Sequence, residues 1–265
     1  MSALDDVLAR TRAEGRAALV AYWPAGFPTK SQSIAAIETM VAAGADIVEV
    51  GLPYSDPVMD GATIQAAAGQ ALEAGTRISD VFDVVQASVA AGAATVVMTY
   101  WNPVERFGVD KFAQALAAAG GAGLITPDMI PDEADEWTEA SDAHGLNRIY
   151  LVAPSSTDAR LAMTASEASG FVYATAVMGV TGGRTSTSSL APTLVARLRE
   201  VTDKPIGVGL GVSNGDQAHE VAAYADGVII GSALINCVLH ADSEAEGLAQ
   251  LTRLTKELRT GVERD

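Results

Sequence analysis

Three carboxylates lie close together in the segment VEVGLPYSDPVMDGATIQ, residues 48–65. The segment begins with a β-branched apolar run typical of a buried strand and ends in a helical pattern. Glu49 interrupts the apolar run, and strand alternation places its side chain on the face opposite to Val48 and Val50. Burial raises the pKa of a carboxyl group, which suits a residue that donates and accepts a proton near neutrality. We therefore expect Glu49 to act as a general acid–base.

Each of the three acids also has a structural interpretation. Glu49 could pair with a buried cation, and the basic residues that flank the segment are Lys30 and Arg77. Asp60 stands just before the helical pattern and could equally be its N-cap. Asp56, in the tripeptide SDP, is typical of a turn-forming aspartate before proline. Position in the sequence alone therefore favours a catalytic role over a structural one only for Glu49.

Glycine-rich turns follow the last two strand-like runs, in the motifs VGLGVSN and IIGSAL. Small residues at such turns let a backbone approach a ligand where a helix begins. The residues that offer backbone N–H groups are Gly209, Gly211, Gly231, Ser232 and, from the motif GVTGG, Gly182. Because these motifs contain no Lys or Arg, we expect a phosphate group held by amides and helix dipoles.

Eight short apolar runs alternate with longer helical patterns, which predicts repeated βα units and a parallel sheet. Eight such strands close a TIM (β/α)8 barrel, whose active site lies at the carboxyl ends of the strands. The expected strands are residues 17–22, 46–50, 94–99, 123–126, 148–153, 171–175, 205–210 and 226–231. A barrel of this kind uses roughly 250 residues, so the 265-residue chain is expected to be one domain, 1–265.

Two further segments are expected to modify this barrel. Residues 2–15 form a helical pattern before the first strand, and we expect this extra N-terminal helix to plug the bottom of the barrel. Residues 182–192, in GGRTSTSSLAP, are rich in Gly, Ser and Thr and are predicted to be a mobile lid.

Composition excludes several classes of function. The formal net charge of −16 disfavours nucleic acid and anionic membranes as partners. No apolar run approaches the roughly 18 residues of a membrane span, and the acidic start does not resemble a signal peptide, so we expect a cytoplasmic protein. The lone Cys237 is expected in a packed helix, and the three histidines show no metal-ligand spacing. No lysine lies at the carboxyl end of a strand, which disfavours Schiff-base chemistry.

Taken in order, these motifs resemble those of the tryptophan synthase α subunit family. The segment VEVGLPYSDPVMDGATIQ is similar to the family signature around two catalytic acids, and AYWPAGFP, MTYWNP, GVTG, GVGLGV and GSAL occur at fitting intervals over nearly the whole chain. The resemblance implies a lyase of tryptophan biosynthesis. It would cleave indole-3-glycerol phosphate to indole and glyceraldehyde 3-phosphate by a retro-aldol reaction, with no metal or cofactor of its own.

The resemblance also implies roles for individual residues. Glu49 matches the general acid–base, and Asp60 matches the acid that binds the indole N–H group. The positions that match the substrate pocket are Tyr22, Tyr100, Tyr173, Thr181 and Leu210, and those that match the phosphate site are Gly182, Gly211, Gly231 and Ser232. The sequence departs from the commoner family pattern at Met59, Ala62 and Leu210, which affects the shape of the pocket.

A partner is implied as well, namely a pyridoxal-phosphate β subunit that receives indole within an αββα heterotetramer. Pro53 and Asp56 match loop positions that face it. Two other functions stay open from the residues alone. One is another phosphate-binding barrel enzyme, such as a sugar-phosphate isomerase, and the other is a noncatalytic barrel that regulates a partner.

Overall fold

Eight parallel strands form a closed barrel in the computed structural model, which describes residues 2–175 and 190–264. Each strand pairs with the next along the chain, and the first pairs with the last. The strands are β1 (Ala18–Pro24), β2 (Ile47–Gly51), β3 (Ala94–Met98), β4 (Gly123–Thr126), β5 (Asn147–Val152), β6 (Val172–Thr175), β7 (Ile206–Gly209) and β8 (Gly227–Ile230). All eight predicted strands are confirmed, and their ends differ from the prediction by at most two residues.

Most of the helices connect successive strands and pack around the outside of the barrel. Those in the described ranges are α1 (Ala3–Ala13), α2 (Lys30–Ala42), α3 (Ala62–Glu73), α4 (Ile78–Ala90), α5 (Trp101–Phe107), α6 (Val109–Ala118), α7 (Asp135–His144), α8 (Asp158–Glu167), α9 (Leu190–Arg199), α10 (Gly215–Ala222), α11 (Ser232–Leu239) and α12 (Glu244–Gly261). None of them is long and apolar enough to span a membrane. Residues 190–192 of the predicted lid are helical, and 182–189 lie outside the described residues.

Helix α1 closes the bottom of the barrel, as predicted for the N-terminal helix. Ser2 starts it with a capping box, because its side chain accepts from the Asp5 N–H and the Asp5 carboxylate accepts from the Ser2 N–H. Leu4, Val7 and Leu8 pack in one cluster with the inward-facing residues of the strands. The amino ends of the strands are therefore sealed by apolar contacts.

Strand alternation divides the apolar residues between two layers. Ile47 belongs to the cluster inside the barrel, whereas Val48 and Val50 belong to the larger cluster between strands and helices. Glu49 shares the inward parity of Ile47. The polar residue of β2 therefore points into the barrel, above the apolar layer that includes Ile47.

A buried ion pair joins the start of β1 to the start of β2. The Arg16 guanidinium donates two hydrogen bonds to the Asp46 carboxylate, at 2.6 and 2.8 Å, and both side chains are buried. Asp46 also accepts from the Leu19 N–H at 2.9 Å. This bidentate pairing fixes the two strands that carry Tyr22 and Glu49.

Candidate active site

A pocket lies at the carboxyl ends of the strands, where the barrel predicts the active site. Its walls come from inward-facing strand residues and from the loops that follow β2, β7 and β8. The strand residues are Tyr22, Glu49, Met98, Leu151, Tyr173, Thr175, Gly209 and Ile229. The remaining residues are Met59, Asp60, Ile64, Leu210, Gly211, Gly231 and Ser232. The pocket thus has an acidic end near β2 and a glycine-rich end near β7 and β8.

Glu49 is buried in this pocket, with 1% of its surface exposed. Its Oε2 atom has no hydrogen-bond partner among the described residues. Burial, and then the charge of Asp60, raises the pKa of Glu49 to about 8. The alternative of a buried ion pair is wrong for both candidate cations, since Lys30 pairs with Asp80 and Arg77 begins helix α4 as its N-cap.

Asp60 enters the pocket from the loop between β2 and α3. It is not the N-cap of α3, because Gly61 occupies that position and provides no side-chain cap. The capping interpretation of Asp60 is therefore wrong. Burial raises the pKa of Asp60 to about 6, against the opposing effect of a hydrogen bond from Tyr100. Near neutral pH, Glu49 is therefore mostly protonated while Asp60 is mostly ionised.

Tyr100 supports the acidic loop from behind and is not among the residues that line the pocket. Its hydroxyl oxygen accepts a hydrogen bond from the Met59 N–H at 3.0 Å. Its ring also contacts the ring of Tyr54, with 5.3 Å between centroids. These contacts fix the backbone next to Asp60, so Tyr100 orients the second carboxylate.

Tyr22 and Tyr173 are the aromatic walls of the pocket. Burial raises the pKa of both hydroxyl groups well above the ordinary value, and the charges of Glu49 and Asp60 raise it further. Both tyrosines therefore remain neutral hydrogen-bond donors at any physiological pH. The Tyr173 hydroxyl packs against Gly209, where an added Cβ would lie only 2.5 Å from it. Close approach of a ring is thus a second reason for glycine at position 209.

The glycine-rich end consists of Gly211, Gly231, Ser232 and the buried Leu210. Gly211 has a φ of +82°, a conformation that favours glycine. Gly231 is the N-cap of α11, and Ser232 is the first residue of that helix. The free backbone N–H groups of this helix end attract an anion.

Nine of the predicted site residues line this pocket. They are Tyr22, Glu49, Asp60, Tyr173, Gly209, Leu210, Gly211, Gly231 and Ser232. Thr181 and Gly182 lie outside the described residues, and Tyr100 lies behind Asp60. Pro53 and Asp56 are on the loop between β2 and α3, where Pro53 is buried and Asp56 is exposed.

Several further walls of the pocket were not predicted from the sequence. Met98, Leu151, Thr175 and Ile229 were not singled out as site residues, although each lies at or near the end of a strand. Their inward parity was a usable signal, because each stands an even number of residues from another inward position on its strand. Ile64, one turn into α3, had no comparable signal.

The cysteine and the lysines lie away from the pocket. Cys237 is buried in α11, as predicted, and burial raises the pKa of its thiol. Lys204 donates to the backbone carbonyls of Ala165 and Ala168, and none of the four lysines lines the pocket. The described residues contain no group of three or more His, Cys, Asp or Glu side chains that could hold a metal ion.

The closed barrel and the pocket at its carboxyl end define a TIM-barrel protein with paired carboxylates facing a glycine-rich helix end. The sequence profile of the tryptophan synthase alpha chain matches residues 8–263. The chain therefore belongs to the tryptophan synthase alpha chain family, a family of lyases. This membership does not favour the isomerase or regulatory-barrel alternatives.

Individual members of the family are similar to this chain over nearly their full lengths. The tryptophan synthase alpha chain of Salinispora arenicola is 60% identical over 99% of this chain and 98% of its own. That of Nocardia farcinica is 59% identical over 98% of this chain and 96% of its own. A solved structure of Mycobacterium tuberculosis tryptophan synthase superposes with a TM-score of 0.93 at 54% identity, covering 99% of this chain and 98% of that one.

Proposed function

We propose that this chain, as a single barrel domain, cleaves indole-3-glycerol phosphate to indole and glyceraldehyde 3-phosphate. The observation that supports this reaction is the uncompensated carboxyl group of Glu49, buried in a pocket whose other end is a helix amino terminus. A protonated acid and an anion site at opposite ends suit a substrate with an aromatic ring and a phosphate. Family membership points to the same substrate.

In the proposed reaction, Glu49 transfers a proton twice. Its protonated carboxyl group, favoured by a pKa of about 8, first donates a proton to the indole carbon that carries the glycerol chain. The resulting carboxylate then takes the proton of the adjacent side-chain hydroxyl. The carbon–carbon bond breaks as the aldehyde forms, and its electron pair restores the aromatic indole. The second transfer regenerates the acid, so the cycle needs no external base.

Asp60 stabilises the positive charge that this proton transfer creates on the indole ring. Protonation of the ring carbon leaves positive charge on the indole nitrogen. An ionised carboxylate that accepts a hydrogen bond from the indole N–H group stabilises that charge. The pKa of about 6 keeps Asp60 ionised near neutrality, while Glu49 is still protonated. The different environments of the two carboxyl groups thus suit them to different roles.

The glycine-rich end is proposed to bind the phosphate. Gly211, Gly231 and Ser232 would donate backbone N–H groups, and Gly182 would add another from the preceding loop. Tyr22, Tyr173, Leu210 and Thr181 would enclose the rest of the substrate. Tyr100 would act through Asp60, whose loop it holds.

The proposed partner is a β subunit that carries pyridoxal phosphate and receives indole in an αββα heterotetramer in the cytoplasm. The loop between β2 and α3, which carries Pro53 and Asp56, exposes apolar surface next to the pocket. Val58 is 75% exposed and Met59 is 39% exposed. Contiguous exposed apolar residues mark surfaces that partners cover, so this loop supports docking at the pocket entrance.

Indole release tests the proposed reaction. The purified chain is mixed with indole-3-glycerol phosphate, with and without a β subunit, and indole is measured by chromatography. We expect indole in both mixtures, with a faster rate when the β subunit is present. No indole in either mixture would contradict the proposal. A parallel panel of sugar phosphates tests the isomerase alternative.

A further inference from the structure

Gly51, the last residue of β2, lies directly against the tip of Tyr22. A Cβ atom added at position 51 would lie 2.3 Å from the Tyr22 hydroxyl oxygen and 2.6 Å from its Cζ atom. Such distances are far inside van der Waals contact. The outer half of the tyrosine ring therefore occupies the space that any side chain at this position would need.

Backbone conformation does not explain glycine at this position. Gly51 is in a strand, paired with Pro24 on one side and Met98 on the other, and its φ lies outside the left-handed region. Any residue could adopt this extended backbone. Strands also disfavour glycine, because glycine loses more conformational entropy and packs no side chain. The ring of Tyr22 is thus the steric reason for glycine at position 51.

The other end of Tyr22 rests on the glycine-rich end of the pocket. A Cβ atom at Gly231 would lie 3.3 Å from the Tyr22 Cδ1 atom and 3.5 Å from its Cβ atom. Tyr22 also stands in register with Glu49 across the β1–β2 pairing. The ring therefore spans the pocket from the N-cap of α11 to the strand that carries Glu49.

We propose that Gly51 is a positioning residue, which leaves room for the Tyr22 hydroxyl and so fixes the ring between the phosphate end and Glu49. This inference rests on the proposed function, because it assigns Tyr22 as a wall of that substrate pocket. A methyl group at position 51 pushes the tip of the ring away from β2. The base of the ring stays beside Gly231, so the displaced tip turns into the space that the substrate uses.

The test is a double-mutant cycle with Gly51→Ala, Tyr22→Leu and the combined variant. Leucine lacks the hydroxyl, Cζ and Cε2 atoms that a methyl group at position 51 would overlap. We expect Gly51→Ala to lower kcat/KM by about tenfold to a hundredfold, mainly through a higher KM, because small misplacements in a site cost this much. In the Tyr22→Leu background the same change should cost no more than about twofold. A crystal structure of Gly51→Ala should show the Tyr22 ring displaced.

Gly227→Ala is the matched control. Gly227 is another strand glycine inside the barrel, and its nearest neighbour to an added Cβ is the Val20 Cγ2 atom at 3.5 Å, an ordinary contact. We expect this variant to keep the KM of the unmodified chain. Thermal melting of all the variants separates a change in the pocket from a change in folding.

The outcomes separate this inference from the proposed function. An equal loss in both Tyr22 backgrounds overturns the role of Gly51, provided that the unmodified chain releases indole. Absence of indole from the unmodified chain contradicts the proposed function, and the crystal structure of Gly51→Ala then tests the steric relationship alone. If Gly51→Ala fails to fold, folding of the combined variant supports the overlap, and failure of both overturns it.

Discussion

Asp60 raises the pKa of Glu49 across the pocket, so the two carboxyl groups titrate in different pH ranges. Burial is the larger cause for Glu49, and the negative charge of Asp60 adds to it. Burial also raises the pKa of Asp60, but only to about 6, and a hydrogen bond from Tyr100 opposes that rise. One proton-loaded acid and one carboxylate therefore coexist near neutral pH.

Glu49→Gln is expected to lower turnover by orders of magnitude while leaving substrate binding nearly intact. Glutamine keeps the size and shape of the side chain but cannot transfer a proton, so kcat should fall by about 100-fold or more. Indole release with a β subunit measures kcat, and calorimetry measures binding of a substrate analogue. Activity within a few-fold of the unmodified chain would show that the acid–base is another residue.

The dependence of kcat/KM on pH should be bell-shaped. Activity rises as Asp60 loses its proton, near its pKa of about 6, and falls as Glu49 loses its proton, near its pKa of about 8. Asp60→Asn removes the acidic limb and also the charge that raises the pKa of Glu49. Its residual activity should therefore fall at a lower pH than that of the unmodified chain. An unmoved basic limb would mean that the two groups are not coupled.

The free energy of unfolding should depend on pH because of Glu49. Its pKa is about 8 when folded, against an ordinary value of 4.5, so the folded state binds this proton more tightly. The resulting stabilisation is complete below the unfolded pKa and is lost as pH rises through the folded pKa. The free energy of unfolding, relative to that of Glu49→Gln, should fall by on the order of a few kcal/mol between pH 5 and 8.5. Urea titrations of both proteins measure the difference, and a flat difference would contradict the burial of a titrating Glu49.

Asp46→Ala should destabilise the barrel strongly. It removes the bidentate partner of the buried Arg16 guanidinium and leaves the hydrogen bond to the more exposed Glu14 carboxylate, and loss of a buried partner costs about 3–5 kcal/mol. Asp110→Ala is the control, because Asp110 pairs with His144 at the exposed surface and its loss should cost about 0.5 kcal/mol or less. Urea denaturation of both variants measures the costs. Similar values for the two would mean that the buried pair is not needed for stability.

Gly211→Ala should weaken phosphate binding. Gly211 and Gly15 both have positive φ and no atom within 4 Å of an added Cβ, so alanine imposes similar backbone strain at both positions, about 1 kcal/mol. Only Gly211 lines the pocket. We expect both variants to lose comparable stability, whereas only Gly211→Ala raises KM. An equal KM for the two variants would remove Gly211 from the phosphate site.

The sequence by itself determined the strands, their number and the face on which Glu49 stands. These features depend on short-range periodicity, which is present in the order of the residues. The glycine motifs after β7 and β8 were also evident from the sequence, because a turn with positive φ and the start of a helix both favour particular local residue types.

Only the tertiary structure decided which side chains meet. Lys30 is closer to Glu49 in sequence than to Asp80, yet it pairs with Asp80 because helices α2 and α4 lie together. Tyr100 supports the loop of Asp60, and Gly51 makes room for Tyr22. The partners in each pair are far apart in the sequence, so the short-range periodicity of the residues does not predict their contact. Closure of the barrel sets these contacts, because it brings strands that are far apart in the sequence to fixed positions and orientations.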